Sequence, residues 1–439
     1  MSLFSKNLLA IVTAATLPFA AFADDSATSN AMSQEAPELG RAGAYPVGTK
    51  SVELQLPLRV TLSATGVGES ARNLGLRIWY PAATDHGATA TYRHSSVMAD
   101  KTVYEVIERG VALDGVAAAK GKFPLVIISH GFVGWSEQLS RLAEHLASHG
   151  YVVAAIDHRD MSFDSVPVFL LSFGKVLTDR ALDQQQVIRK LVDPAFVSKE
   201  PALASADGGK LGLIGYSMGG FGALGTSGAT YDPAGKPFAG LPAPAKAQAV
   251  AADSQAATLV DALVLMAPWG GQPDNRAWTA GGLAAMKKPI LFIAGDQDDI
   301  VNYNEGVRWL FDGTKAADRY MLVYRDARHN IAANMQDLGT NPSSEVVGYS
   351  REPVWRQDRL NQINQHFITA FLDWTLKGDK PKRQYLDVPT PIASNGKWEV
   401  PFRTLEGGAL AGDRQPGYWR GFQRRWATGL ELYHKGIGQ

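Results

Sequence analysis

The run Gly215-Tyr216-Ser217-Met218-Gly219 sets a serine between two glycines, directly after the apolar stretch 211–214 and before small residues that can begin a helix. Strand, sharp turn and helix in that order hold a serine hydroxyl out on a strained corner, and glycine on either side lets the flanking segments pack close. Gly accounts for 44 of 439 residues, so the bare pattern arises readily by chance and draws its weight from the strand-to-helix setting. A serine hydroxyl is a poor nucleophile at neutral pH. It requires a histidine base oriented by a carboxylate, in the chain order Ser, acid, His. The apolar run 290–293 ends in Ala294-Gly295-Asp296-Gln297-Asp298-Asp299, which puts three acids at the carboxyl edge of a strand. Asp298 is the expected member, with Asp296 next and Asp299 third; the others are then turn acids or helix caps. The run 321–324 is followed by Arg325-Asp326-Ala327-Arg328-His329, and His329 is the only histidine downstream of Ser217 in a post-strand loop. The remaining eight histidines are read as surface or core residues.

Acyl transfer also needs donors for a developing oxyanion. One is expected from the backbone N–H of Met218, the residue after the nucleophile. The other is expected from Phe132, in His130-Gly131-Phe132 at the end of strand 125–128. His130 is read as holding that loop and Gly131 as permitting its turn.

These groups need a scaffold of buried strands. Short continuous apolar runs at 125–128, 151–156, 211–214, 263–266, 290–293 and 320–323 mark strands covered on both faces. Rough alternation over 51–63 and 74–80 predicts antiparallel strands before them, and the stretch to Lys122 reads as irregular. Leu139, Leu142, Ala143 and Leu146 share one face of a helix over 136–149, closed by Gly150. Further helices are predicted at 175–191 and 357–376. Strands alternating with helices imply an α/β fold, doubly wound around a mostly parallel sheet, with N-terminal antiparallel strands and a C-terminal extension.

Residues 1–23 read as a secretory signal peptide, with an apolar core too short to span a bilayer and Ala21-Phe22-Ala23 suited to cleavage. Residues 24–47 are expected to be a flexible N-terminus, 48–377 the catalytic-type domain with insertions near 83–122 and 228–258, and 378–439 an extension packed on it. Export to a periplasm or the exterior follows, and no later segment is apolar enough for a membrane helix. Cys 0 excludes disulfides, thiolate metal sites and a cysteine nucleophile. Lys+Arg 43 against Asp+Glu 43, in short mixed runs, argues against nucleic acid. Ser172-Phe173-Gly174-Lys175 matches SxxK without a following Lys-Thr-Gly or Ser-Asp-Asn, and no nucleotide or zincin motif occurs, so neither cofactor nor metal is expected.

His130-Gly131-Phe132, the segment 151–160 and the run 215–220 together resemble the dienelactone hydrolase-related and platelet-activating-factor acetylhydrolase-like esterases of the α/β-hydrolase superfamily, over about 125–376. Ala267-Pro268-Trp269 with Ser217-Met218-Gly219 is also similar to bacterial cutinases and polyester hydrolases. That resemblance implies that Phe132 and Trp269 flank the substrate. The chain departs from dienelactone hydrolases, which use cysteine where Ser217 stands, and from secreted cutinases, which are shorter and usually disulfide-bonded. The expected activity is hydrolysis of carboxylic esters through an acyl-enzyme. Lipid, polyester or peptide substrates stay open as alternatives, as does an inactive fold used for binding.

Overall fold

Six strands of the sheet carry a continuous buried apolar run because helices cover both faces, and they form the parallel centre. The computed structural model describes residues 35–97, 103–161, 165–251, 253–336, 338, 342–401 and 415–439. The segment read as a signal peptide lies outside them, as do residues 402–414 of the C-terminal extension. Ala36–Gln439 pack as one unit. Among the described residues eleven strands make one sheet: β1 (Val47–Ser63), β2 (Gly66–Pro81), β3 (Thr89–Val97), β4 (Val103–Asp114), β5 (Phe123–Ser129), β6 (Val152–Asp157), β7 (Ala206–Tyr216), β8 (Ala262–Met266), β9 (Ile290–Gly295), β10 (Arg319–Tyr324) and β11 (Leu430–Lys435). Their order is β11-β10-β9-β8-β7-β5-β6-β2-β1-β4-β3.

From β6 to β10 neighbouring strands are parallel, while β2 runs antiparallel to β6, β1 to β2, and β11 to β10. The chain leaves β5 toward β6 on one side and returns to β7 on the other. This reversal opens a crevice beyond the carboxyl ends of β5 and β7, where open α/β sheets place their ligands. The architecture is the α/β-hydrolase fold, with α1 (Ser140–Ser148), α2 (Val166–Val192), α3 (Met218–Thr226) and α4 (Gln357–Thr375) packed around the sheet.

Four features differ from the sequence reading. The stretch 83–122 is not irregular, because it contains β3 and β4, paired antiparallel at the sheet edge. Val103, Ile107 and Val111 stand exposed on β4, so apolar residues fall on both of its faces and the alternation is blurred. Helix α2 starts at Val166, nine residues before Lys175, and its Gly174 lies against Leu62 of β1. Flexibility does not extend through the end of 24–47. Ala36 and Leu39 are buried there, the Leu39 N–H donates to His366 Nδ1 at 3.1 Å, and the Glu38 N–H donates to the Gly421 carbonyl at 2.8 Å. Finally, the extension supplies β11, with Trp419 and Phe422 buried against Phe367 of α4.

The segment 228–258 forms three short helices, and Gln248 in the second exchanges two 2.9 Å bonds with the Val60 backbone of β1. His366 is the meeting point of α4, the 36–40 segment and the extension, and burial pushes its imidazole down to about 3.

Candidate active site

Ser217 follows β7 directly, at φ 53° and ψ −115°, a conformation that costs a non-glycine residue strain and is held by its surroundings. Its N–H donates to the Met266 carbonyl at 2.9 Å, and its carbonyl accepts from the Trp269 N–H at 3.1 Å, which fixes the turn from both sides. The two glycines have steric reasons. A Cβ on Gly215 would collide with the Gly219 carbonyl, and a Cβ on Gly219 with the Ser129 carbonyl.

His329 follows β10, and Asp298 follows β9. The His329 Nε2 lies 3.0 Å from the Ser217 hydroxyl, and its Nδ1 lies 2.7 Å from Asp298 Oδ2. A carboxylate on Nδ1 fixes the proton there and leaves Nε2 as the acceptor facing Ser217. The other oxygen of Asp298 accepts the N–H groups of Ile300 and Val301 at 3.0 and 3.1 Å, so the carboxylate cannot rotate away. Asp296 instead accepts the Asp326 N–H at 2.7 Å, and Asp299 faces Arg328 at 3.4 Å. Both runners-up are turn acids. Ser217, His329 and Asp298 are all buried, with only the first two reaching the solvent edge.

The loop after β5 approaches this line closely, since a Cβ on Gly131 would lie 3.3 Å from the Ser217 Cβ. His130 Nε2 accepts the His158 N–H at 3.1 Å, so its proton sits on Nδ1, which donates to the Gly131 carbonyl at 2.7 Å. Arg180, buried in α2, also reaches that carbonyl at 3.4 Å and pairs with Asp160 at 2.6 Å. Asp160 in turn accepts the Val133 N–H at 2.9 Å. With the Gly131 carbonyl turned into the protein, the planar trans peptide turns the Phe132 N–H the opposite way. The Met218 N–H belongs to the first turn of α3, where backbone N–H groups have no intrahelical partner.

Beneath the loop lies a second array. His158 Nε2 is 2.8 Å from the Ser129 hydroxyl, and its Nδ1 is 2.8 Å from Asp183. Gln184 donates to both Ser129 Oγ and the Gly219 carbonyl, at 2.8 and 2.9 Å. Burial opposes ionisation of Asp183, but the guanidinium groups of Arg59 and Arg72 overcome it and hold the carboxyl well below the usual range. Burial pushes the His130 and His158 imidazoles well below their usual range, so both are neutral.

Aromatic side chains form one wall. Phe132 packs edge-on to Phe169 and Phe173 at 5.8 and 5.7 Å, and Phe173 meets Trp269 at 5.3 Å. Phe169 and Phe173 are missing from the sequence reading, which began α2 after them. The apolar run 166–171 was their only signal. Ser172 and Lys175 of the SxxK match part company: the serine donates to the Met161 carbonyl and the lysine to Thr61. No group of three or more potential metal ligands occurs among the described residues.

With this geometry established, comparison with known proteins gives two partial family matches. The model for platelet-activating factor acetylhydrolase, isoform II, matches residues 40–170, and the PET hydrolase-like model matches 110–259. The chain is similar to both. Neither match reaches half of it. Platelet-activating factor acetylhydrolase of Bos taurus is 46% identical over 48 residues, 11% of either chain, and that of Cavia porcellus 49% identical over 41 residues, 9% of either. The chain therefore spans about a tenth of the length of the curated relatives it matches. A ferulic acid esterase from Streptomyces cinnamoneus aligns with TM-score 0.49 and 20% identity over 76% of this chain and 91% of its own. No helix among the described residues is long and apolar enough to cross a membrane.

Proposed function

We propose that this protein is a serine hydrolase of carboxylic esters, working through an acyl-enzyme. The observation that carries the reading is the hydrogen-bonded line Asp298, His329, Ser217 at the strained end of β7. Ser217 Oγ attacks the ester carbonyl while His329 Nε2 takes its proton. Asp298 holds the imidazole in that tautomer and stabilises the imidazolium. The N–H groups of Met218 and Phe132 receive the oxyanion, and His329 then protonates the leaving alcohol. Water repeats the sequence on the acyl-enzyme to release the acid. Both partial family matches are to hydrolase families by their descriptions, which agrees with this chemistry.

The wall of Phe132, Phe169, Phe173 and Trp269 favours substrates with an apolar or aromatic group beside the scissile bond. Lipid and polyester hydrolysis are the readings favoured next, each by one of the matched families. Export follows from the sequence pattern of residues 1–23. The test is turnover of p-nitrophenyl esters from acetyl to long acyl, with an aromatic diester, by the protein and Ser217→Ala in parallel. Turnover by the wild type and loss of about 10⁴-fold or more in the variant is expected; equal rates would sink the proposal.

A further inference from the structure

The loop that carries His329 is gripped from outside the sheet by a residue far along the chain. Glu352 follows a short helix, Ser344–Ser350, and its side chain is turned inward with 8% of the residue exposed. Oε2 accepts the N–H of Arg328 at 2.6 Å, and Oε1 accepts the N–H of Asn330 at 2.6 Å. These are the two residues flanking His329. One carboxylate thus takes the backbone donors on both sides of the imidazole-bearing residue, and such charge-assisted bonds are the stronger kind. The His329 carbonyl is fixed separately, by the Tyr216 hydroxyl at 3.1 Å and the Ile331 N–H at 2.9 Å.

Fixing the peptide planes before and after a residue fixes the direction of its Cα–Cβ bond. For His329 that direction decides whether Nδ1 and Nε2 fall within reach of Asp298 and Ser217 together. We propose that Glu352 is a positioning residue for the base: by holding the N–H groups of Arg328 and Asn330 it sets the His329 imidazole between Asp298 and Ser217. Its oxygens bond the backbone on either side of His329, and it acts through that residue. The inference rests on the ester-hydrolase reading above.

The charged groups around it fit the role. Burial raises the Glu352 carboxyl above its ordinary range, the two N–H groups and the Arg328 guanidinium pull it back, and the Asp298 charge pushes it up again. Arg328 itself faces Asp299 at 3.4 Å.

The test compares the full-length wild type, Glu352→Gln, Glu352→Asp and Ser217→Ala on one p-nitrophenyl ester, together with the labelling rate of Ser217 by a fluorophosphonate probe. Glutamine offers one acceptor to one N–H and turns its own donors on the other. For Glu352→Gln, kcat should fall about 10- to 100-fold with KM within twofold, as expected for a small displacement of a reacting group, and labelling should slow by the same factor. Glu352→Asp keeps both oxygens one methylene shorter, and should lose roughly threefold to tenfold in kcat, again at constant KM. Wild-type kcat in either folded variant overturns the inference, and so does a fall in kcat matched by a rise in KM. Should the glutamine variant fail to fold, the aspartate variant decides alone. If Ser217→Ala turns over like the wild type, the ester-hydrolase reading fails instead, which separates the two failures.

Discussion

Two Ser–His–Asp arrays lie one above the other in this molecule, wired alike and placed differently. Ser217, His329 and Asp298 are joined at 3.0 and 2.7 Å; Ser129, His158 and Asp183 are joined at 2.8 and 2.8 Å. Ser129 sits in a regular strand with no exposure, and its hydroxyl already accepts a bond from Gln184. Ser217 sits on a strained turn at the crevice edge. Asp183 is clenched by Arg59 and Arg72, whereas Asp298 is held only by backbone N–H groups and His329. The wiring is a general way to satisfy three buried polar groups. On the proposed reading, backbone strain and access to the crevice distinguish the reacting copy, while the sealed copy is a strut that joins β5, β6, α2 and, through Gln184, the Gly219 carbonyl of α3.

The largest expected contrast is between the serines. Ser217→Ala should lose about 10⁴- to 10⁶-fold in kcat, while Ser129→Ala should keep turnover within about threefold and lose about 1–3 kcal/mol of stability from the unpaired groups left behind. Mass-spectrometric mapping of a fluorophosphonate adduct checks this, and an adduct on Ser129 breaks the contrast. The carboxylates divide next. Asp298→Asn should lower kcat by about 10⁴-fold through the wrong imidazole tautomer, with an unchanged urea midpoint. Asp183→Asn should cost about 3–5 kcal/mol of stability by leaving two buried guanidinium groups, Arg59 and Arg72, to share Asp179 at 3.5 and 3.6 Å, measured by urea denaturation.

Acid should act on the interior histidines before it reaches Asp183. His366 is held neutral in the fold, at about 3 against 6.5 for an ordinary histidine. A depressed histidine contributes stability that is complete above pH 6.5 and is lost as pH falls toward 3, at about 1.4 kcal/mol per unit. Burial also lowers His145 and His149. Urea midpoints should therefore fall between pH 6.5 and 4.5, and less steeply in His366→Gln; parallel slopes would refute the assignment. The smallest effect belongs to the aromatic wall. Phe173→Ala should raise KM for long-acyl or aromatic esters about fivefold to tenfold, the equivalent of roughly 1–1.5 kcal/mol for an aromatic contact, and leave acetyl ester kinetics near wild type.

Much of the proposed reacting line was readable in the chain because each member follows a buried strand. Continuous apolar runs located β7, β9 and β10, and the residues just beyond them are Ser217, the acids 296–299 and the loop of His329. Among those acids Asp298 was the expected member, and in the fold its carboxylate meets His329 while Asp296 and Asp299 bond elsewhere. The strut was not readable: Asp183 and Gln184 are polar residues on a helix, and nothing in their spacing says that His158 and Ser129 face them. Glu352 lies 23 positions beyond His329 with no periodic link to it. Strand β4 was hidden by the exposed Val103, Ile107 and Val111, and β11 by alternation in place of a continuous apolar run and by its separation along the chain from the other strands.

Helix α2 has a double allegiance. Its first turns supply Phe169 and Phe173 to the wall, and its later turns supply Asp179, Arg180, Asp183 and Gln184 to the interior, where Arg180 and Gln184 reach the Gly131 and Gly219 carbonyls. On the proposed reading, substrate preference and rate acceleration are therefore mounted on one rigid lever. A larger acyl group admitted by trimming Phe173 would leave the lever in place, whereas one admitted by shifting the helix would drag the 131–133 loop with it. If the proposed ester hydrolysis is redirected toward bulkier substrates, side-chain truncation along the first turns is the route expected to widen specificity without detuning the chemistry.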